Sequence, residues 1–313
     1  MSAALPRKPR LRLLSVRTIW SEGRHNAFTD LVRFQGKWLC AFREASGHAR
    51  GSGKIRILAS DDGVDWRTVH LASERGIDLR DPKLSVAPGG RLMLLAGGTR
   101  FREGLYLGRQ PRVAFSTDGE RWEPARVILS DGDWLWRVTW FRGRAYGVTY
   151  RLESRDVWTV TLLESEDAIA YRELAALRVD GKPNEATIRF RDDGEAVLVV
   201  RREGGDGTAW VGSSRPPYRR FRWHSFGCGV GGPNLLLLPA AGALFGGRMI
   251  VDGEARMVLA EESRRRASPL LVLPSGGDCG YPGMVSFRGA VWVSYYSSHE
   301  GKASIYLARV HME

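Results

Sequence analysis

Short runs rich in Val, Ile, Leu, Trp and Tyr recur along the whole chain, bounded by Gly, Asp and Pro. "KIRILAS" (Lys54 to Ser60) and "AVWVSYY" (Ala290 to Tyr296) alternate with a period of two, as half-buried strands do. A glycine turn followed by an alternating apolar run repeats six times. It reads "FQGKWLCAF" at Gly36, "PGGRLMLLAG" at Gly90, "FRGRAYGVTY" at Gly143, "DDGEAVLVV" at Gly194, "AAGALFGGR" at Gly242 and "FRGAVWVSYY" at Gly289. The spacing of roughly 50 residues per unit is that of a repeat architecture built from small antiparallel sheets. "GEARMVLAEESRRRAS" (Gly253 to Ser268) has helical composition, yet its place in the repeat predicts a strand and hairpin.

A second signal runs in phase with the first. "SDDGVDW" (Ser60 to Trp66) and "STDGERW" (Ser116 to Trp122) share the pattern Ser-x-Asp-Gly-x-x-Trp and occupy the same place in consecutive units. Degraded copies follow at "SEDAIAY" (from Ser165) and "SSRPPY" (from Ser213), and the slot near "AEES" (Ala260 to Ser263) has lost the pattern. Asp62 and Asp118 are expected to accept backbone N–H bonds, Gly63 and Gly119 to take positive φ, and Trp66 and Trp122 to pack between neighbouring sheets. Together the two signals predict an all-β fold, a six-bladed β-propeller of four-stranded antiparallel blades. The last unit has room for only three strands, ending at "SIYLARV" (Ser304 to Val310), so the N-terminal "RLRLLSVRTIW" (Arg10 to Trp20) is expected to close that blade. Residues 10–313 form one domain in this reading, behind a disordered tail at 1–9.

Composition adds exclusions. A hydrophobic content of 43% supplies a large core and argues against disorder. The formal charge of +12 comes mainly from arginines that are scattered, apart from "PRKPRLR" and "ESRRRAS". Those two runs read as solvated faces, so no nucleic-acid partner is expected. Cys40, Cys228 and Cys279 lack metal-ligand spacing and read as free thiols of a reducing, cytoplasmic protein. No run approaches the ~18 apolar residues that span a bilayer, so no membrane association is expected. Neither a metal nor a cofactor is indicated.

The Ser-x-Asp-Gly-x-x-Trp turn resembles the Asp-box of sialidases and related propellers, where it lies on the rim opposite the active site. That resemblance directs attention to the leading ends of the innermost strands. "YPGM" is similar to the family's last-blade element and implies Tyr281 as nucleophile. "NEATIRFRDDGEAVLVVRR" resembles the fourth-blade element, implying Glu185 as the base that takes the phenol proton and Arg201 as a carboxylate-clamp arginine. Arg248, with Arg256 as the lesser choice, is the second clamp candidate. Where the family carries an Arg-Ile-Pro element this chain has "HNAFTD", leaving Arg24 and Arg43 as nearby substitutes, while His25 reads as a hydrogen-bonding group of the channel that contacts substrate. The position of the family's catalytic acid offers His48 and Glu44, with Asp81 from the next blade. The late carboxylate falls near Tyr296, with Glu300 just downstream. Asn234 lines the channel in this reading, as does Arg137 of "WLWRVTW", whose Trp136, with Trp134 and Trp140, is a candidate stacking platform.

The residue types suit the chemistry. Guanidinium groups bind carboxylates in a planar fork, and a neutral phenol avoids repulsion from an anionic substrate. The resemblance implies an exo-glycosidase cleaving a terminal sialic, nonulosonic or other acidic sugar from a glycoconjugate. The alternative is a non-catalytic propeller that binds a glycan or protein through the same face.

Overall fold

The computed structural model describes residues 10–49, 52–238, 242–263 and 265–313. The tail expected at residues 1–9 lies outside them. Six four-stranded antiparallel sheets account for all the strands among the described residues. Their innermost strands are His25–Phe34, Ile77–Val86, Trp134–Phe141, Pro183–Phe190, Gly231–Leu237 and Cys279–Phe287. Each packs against the next, and the sixth returns to the first, so the blades close a ring. The fold is the six-bladed propeller that the two periodic signals predict. No helix of the described residues is long and apolar enough to cross a membrane.

Closure uses both ends of the chain. Leu11–Trp20 pairs antiparallel with Ser304–Met312, from Leu11 opposite Met312 to Trp20 opposite Ile305, as the outer strand of the sixth blade. Leu11, Leu13 and Val16 pack against the core shared by the fifth and sixth blades. The Ala/Glu/Arg-rich segment forms the strands Glu254–Ser263 and Arg266–Val272, not a helix.

The repeated turns explain themselves locally. Gln35-Gly36, Arg142-Gly143 and Arg288-Gly289 are two-residue hairpin loops, with φ of 47° and 82°, 48° and 80°, and 49° and 73°. Positive φ at both positions matches the twist of the flanking strands. In the Ser-x-Asp-Gly turns, Ser60 Oγ accepts from Gly63 N at 2.8 Å while Asp62 Oδ1 accepts from Val64 and Asp65. Ser116 and Asp118 repeat the arrangement. So do Ser165 and Asp167, where Ala168 at φ 60° stands in the glycine position. The slot from Ser213 closes differently, through Tyr218 Oη on Gly194 O. Trp66 packs into the aromatic cluster joining the first and sixth blades, and Trp122 into the core joining the first and second. The three cysteines are free thiols.

Candidate active site

All six innermost strands slip register at the same place: between Ala27 and Asp30, Arg80 and Lys83, Leu135 and Val138, Pro183 and Ala186, Gly231 and Asn234, and Gly280 and Gly283. There, two residues face one on the neighbouring strand, a bulge that re-aims side chains. Phe28, Asp81 and Tyr281 each open a bulge with φ of 61°, 49° and 53°. Non-glycine residues rarely enter that region, and they hold it only where surrounding structure imposes it. Proline follows in three bulges, at Pro82, Pro233 and Pro282, where an unpaired position needs no N–H. Side chains from adjacent blades satisfy the freed carbonyls. Thr29 Oγ1 donates to Tyr281 O, Asn234 Nδ2 to Pro282 O and Thr187 Oγ1 to Pro233 O, at 2.9, 2.9 and 2.8 Å.

The bulges bring Tyr281 and Glu185 together across the axis. Tyr281 Oη donates to Glu185 Oε1 at 2.6 Å. Glu185 Oε2 accepts from Arg201 Nη1 at 2.9 Å and from Gly232 N at 2.7 Å, and the same Nη1 lies 3.2 Å from Tyr281 Oη. Arg201 Nη2 also meets Glu203 Oε1 at 2.8 Å, and Asn184 fixes that carboxylate in turn. Burial pushes the Glu185 carboxyl up, but Arg201, the phenol and the Gly232 amide outweigh it and hold its pKa below the ordinary value. Burial and the charge of Glu185 push the Tyr281 phenol well up. A protonated phenol is thus hydrogen-bonded to an ionised carboxylate beside a guanidinium. Phe28 and Trp136 pack edge-on against its ring at 5.0 and 5.6 Å.

A second constellation centres on Asp278, immediately before the last inner strand. Its Oδ2 receives His25 Nε2 at 2.9 Å and His48 Nδ1 at 2.7 Å, while Oδ1 accepts from Tyr296 Oη at 2.7 Å. Burial alone favours the neutral acid here, but the two imidazoles and the phenol hold Asp278 well below the usual carboxylate range. Arg137 Nη1 donates to both oxygens of Asp30 at 2.9 Å. Lys83 lies over the Trp136 ring at 4.4 Å, its amine pushed down to about 8 by burial and the nearby Arg137 charge. Desolvation raises the Asp81 carboxyl against the pull of Arg80 and Lys83.

Several of the expected ligand residues already have protein partners. Arg43 is sealed against Asp78, both side chains 0% exposed, and its Nη1 donates to Gly47 O, so it braces the His48 loop from below. Arg137 is spent on Asp30. Trp136, 1% exposed, and Trp134 are packing groups without an open face for stacking. Asn234 is consumed by Arg189 and the Pro282 carbonyl. Glu300 accepts from Tyr306 within its own blade, Glu44 pairs with Arg56, and Arg256 with Glu254. Arg24 is exposed, and neither it nor Arg248 has a hydrogen-bond or ion-pair partner among the described residues. Arg248 sits half-buried opposite Gly231 with its Cβ over Gly280.

Sequence reasoning missed Asp278, Lys83, Asp30 and Arg80, whose guanidinium covers Phe28 at 5.0 Å. Asp278 carried one usable signal, an acid at the leading end of the strand that bears Tyr281.

The sequence matches no protein-family model and no curated protein. Solved structures do resemble it. A protein of unknown function from Dyadobacter fermentans superposes with a TM-score of 0.84 at 21% identity, over 99% of this chain and 100% of that one. An α-L-arabinofuranosidase of Fusarium graminearum gives 0.73 at 12% identity, over 96% and 98%. A Trypanosoma rangeli sialidase gives 0.73 at 11% identity, over 95% of this chain but only 58% of that one. At these identities the likeness is one of fold: this chain shares the six-bladed propeller on which two different glycosidases are built.

Proposed function

We propose that this chain is a sialidase-like glycoside hydrolase that removes a terminal acidic sugar, with Tyr281 as nucleophile and Glu185 as its base. The observation that carries the reading is the 2.6 Å bond from Tyr281 Oη to an ionised Glu185 held by Arg201. A phenol near its ordinary pKa of ~10 is a weak nucleophile and needs an adjacent base and a positive field. Glu185 accepts the proton as Oη attacks the anomeric carbon, and Arg201 stabilises the charge that moves between them. Arg248, without a hydrogen-bond or ion-pair partner among the described residues, is the proposed anchor for the substrate carboxylate. The Ser-x-Asp-Gly turns are read as Asp-boxes, and both named neighbours of known activity hydrolyse glycosides.

A panel of aryl glycosides of acidic and neutral sugars tests this. Wild type is expected to hydrolyse at least one acidic sugar, and Glu185→Gln to lose roughly 10²–10⁴ in rate, the range for a positioned base. Undiminished hydrolysis by Tyr281→Phe would remove Tyr281 as nucleophile. Activity on neutral sugars alone would remove the carboxylate anchor. Saturable binding of an acidic glycan without turnover would make the propeller a lectin-like module instead.

A further inference from the structure

The second constellation has a chemistry of its own. His48 stands at the mouth, its side chain 48% exposed, with Nδ1 bound to Asp278 and Nε2 without a protein partner among the described residues. Its ring packs edge-on against Phe28 at 5.1 Å, and Phe28 packs edge-on against Tyr281 at 5.0 Å. His48 and Tyr281, from the first and sixth blades, therefore contact the same aromatic ring. Asp278 is immobilised by three donors and by its own N–H, which donates to Ser298 Oγ at 2.9 Å. Arg43 bonds the backbone of the His48 loop. An imidazole oriented through Nδ1 by an ionised carboxylate, with Nε2 free, is the arrangement of a general acid–base.

We propose that His48 is the catalytic acid–base of this site and that Asp278, supported by His25 and Tyr296, is its positioning carboxylate. The assignment rests on the glycosidase reading given above. In the first step His48 Nε2 gives its proton to the glycosidic oxygen as the C–O bond breaks, and the electron pair leaves with that oxygen. Tyr281 Oη forms the bond to the anomeric carbon while its own proton passes to Glu185. In the second step His48 Nε2 takes a proton from water, whose oxygen bonds the anomeric carbon. The Tyr281–carbon bond breaks and the phenol recovers its proton from Glu185, so both groups return to their starting states.

His25, His48 and Asp278 invite a metal reading, since their ligand atoms all lie within 4.8 Å of one another. The contacts favour protons. Ligands sharing a tetrahedral zinc at the usual bond lengths stand roughly 3.3 Å apart, whereas His25 and His48 approach Asp278 Oδ2 at 2.9 and 2.7 Å, hydrogen-bond distances.

Leaving-group dependence tests the assignment, with the acidic sugar hydrolysed in the panel carried on a dinitrophenyl and on an alkyl leaving group. His48→Ala is expected to lose ~10²–10⁴ on the alkyl glycoside and only a few-fold in the glycosylation step with the dinitrophenyl one, which departs without protonation. Azide is expected to restore turnover and give the glycosyl azide. Asp278→Asn should show the same leaving-group signature, weaker. Equal loss on both substrates without azide rescue makes His48 structural and overturns the proposal. So does one equivalent of zinc in the purified protein whose chelation abolishes activity. Tyr281→Phe separates the two levels. If it is inactive on both substrates while His48→Ala shows no leaving-group dependence, only the His48 assignment falls. If it is fully active, the nucleophile reading falls and His48 is judged on its own signature.

Discussion

Lys83 shows what single residues cost under the site. The residue is 2% exposed, and its amine is pushed down to about 8 by burial and the Arg137 charge. The unfolded chain holds that proton up to about 10.4. Below pH 8 both states are charged, and the fold bears the full penalty, on the order of 3 kcal/mol. Between pH 8 and 10.4 the unfolded state binds more protons, so the penalty shrinks as pH rises. Lys83→Met is therefore expected to stabilise the protein by up to ~3 kcal/mol at pH 7, the gap to wild type closing toward pH 10. Guanidinium titrations of both proteins across that range give the difference. The Arg43–Asp78 pair behaves oppositely, because each partner is fully buried and Asp78 Oδ1 also holds Gly53 N. Asp78→Asn is expected to cost about 3–5 kcal/mol, the usual result of stranding one buried charge. It should loosen the His48 loop as well, which hydrogen exchange at Gly47 and His48 would report.

The inner strand with its bulge is the element that makes the site, and it was hidden in the sequence. The leading ends of these strands read as polar, which located the face. Nothing in Phe28 or Tyr281 encodes a positive φ, however. It is imposed by clips from neighbouring blades: Thr29 on the Tyr281 carbonyl, Asn234 on the Pro282 carbonyl. Asn234→Ala strands the Pro282 carbonyl and removes a partner of Arg189, at an expected cost of about 1–3 kcal/mol. Because the clip holds the bulge that carries Tyr281, hydrolysis should fall further than stability does, measured as kcat beside the chemical-denaturation midpoint. Gly283→Ala is a harsher version. A Cβ there would stand 2.2 Å from Leu31 N, where the sixth blade meets the first. A fall in Tm with poor soluble yield is the expected outcome.

At the scale of the whole molecule the sequence was most informative, since a repeated unit writes its period in glycines and tryptophans whatever its function. Six blades, the shared last blade and the hairpin at Gly253 to Ser268 were all legible. The Tyr281, Glu185 and Arg201 cluster was legible through local resemblance. The Asp278 cluster was not, because its partners come from residues 25 and 48 and meet only when the ring closes. Closure is the point to test. Removing Leu11–Trp20 uncovers the Ser304–Met312 edge and the core beneath Leu11, Leu13 and Val16. An unpaired apolar edge templates association, so the truncated chain is expected to elute as aggregate in size-exclusion chromatography and to lose cooperative melting.

The strand Leu11–Trp20 is made before all six innermost strands, yet its partner, Ser304–Met312, follows them all. The first five blades are each built from four consecutive strands, while the sixth waits on Ser304–Met312. Both halves of the site span that seam: His25 and Asp278 touch across it, and Thr29 reaches Tyr281 over it. Synthesis order therefore sets assembly order: the contacts that join Tyr281 and Asp278 to the first blade wait on the strand that completes the sixth.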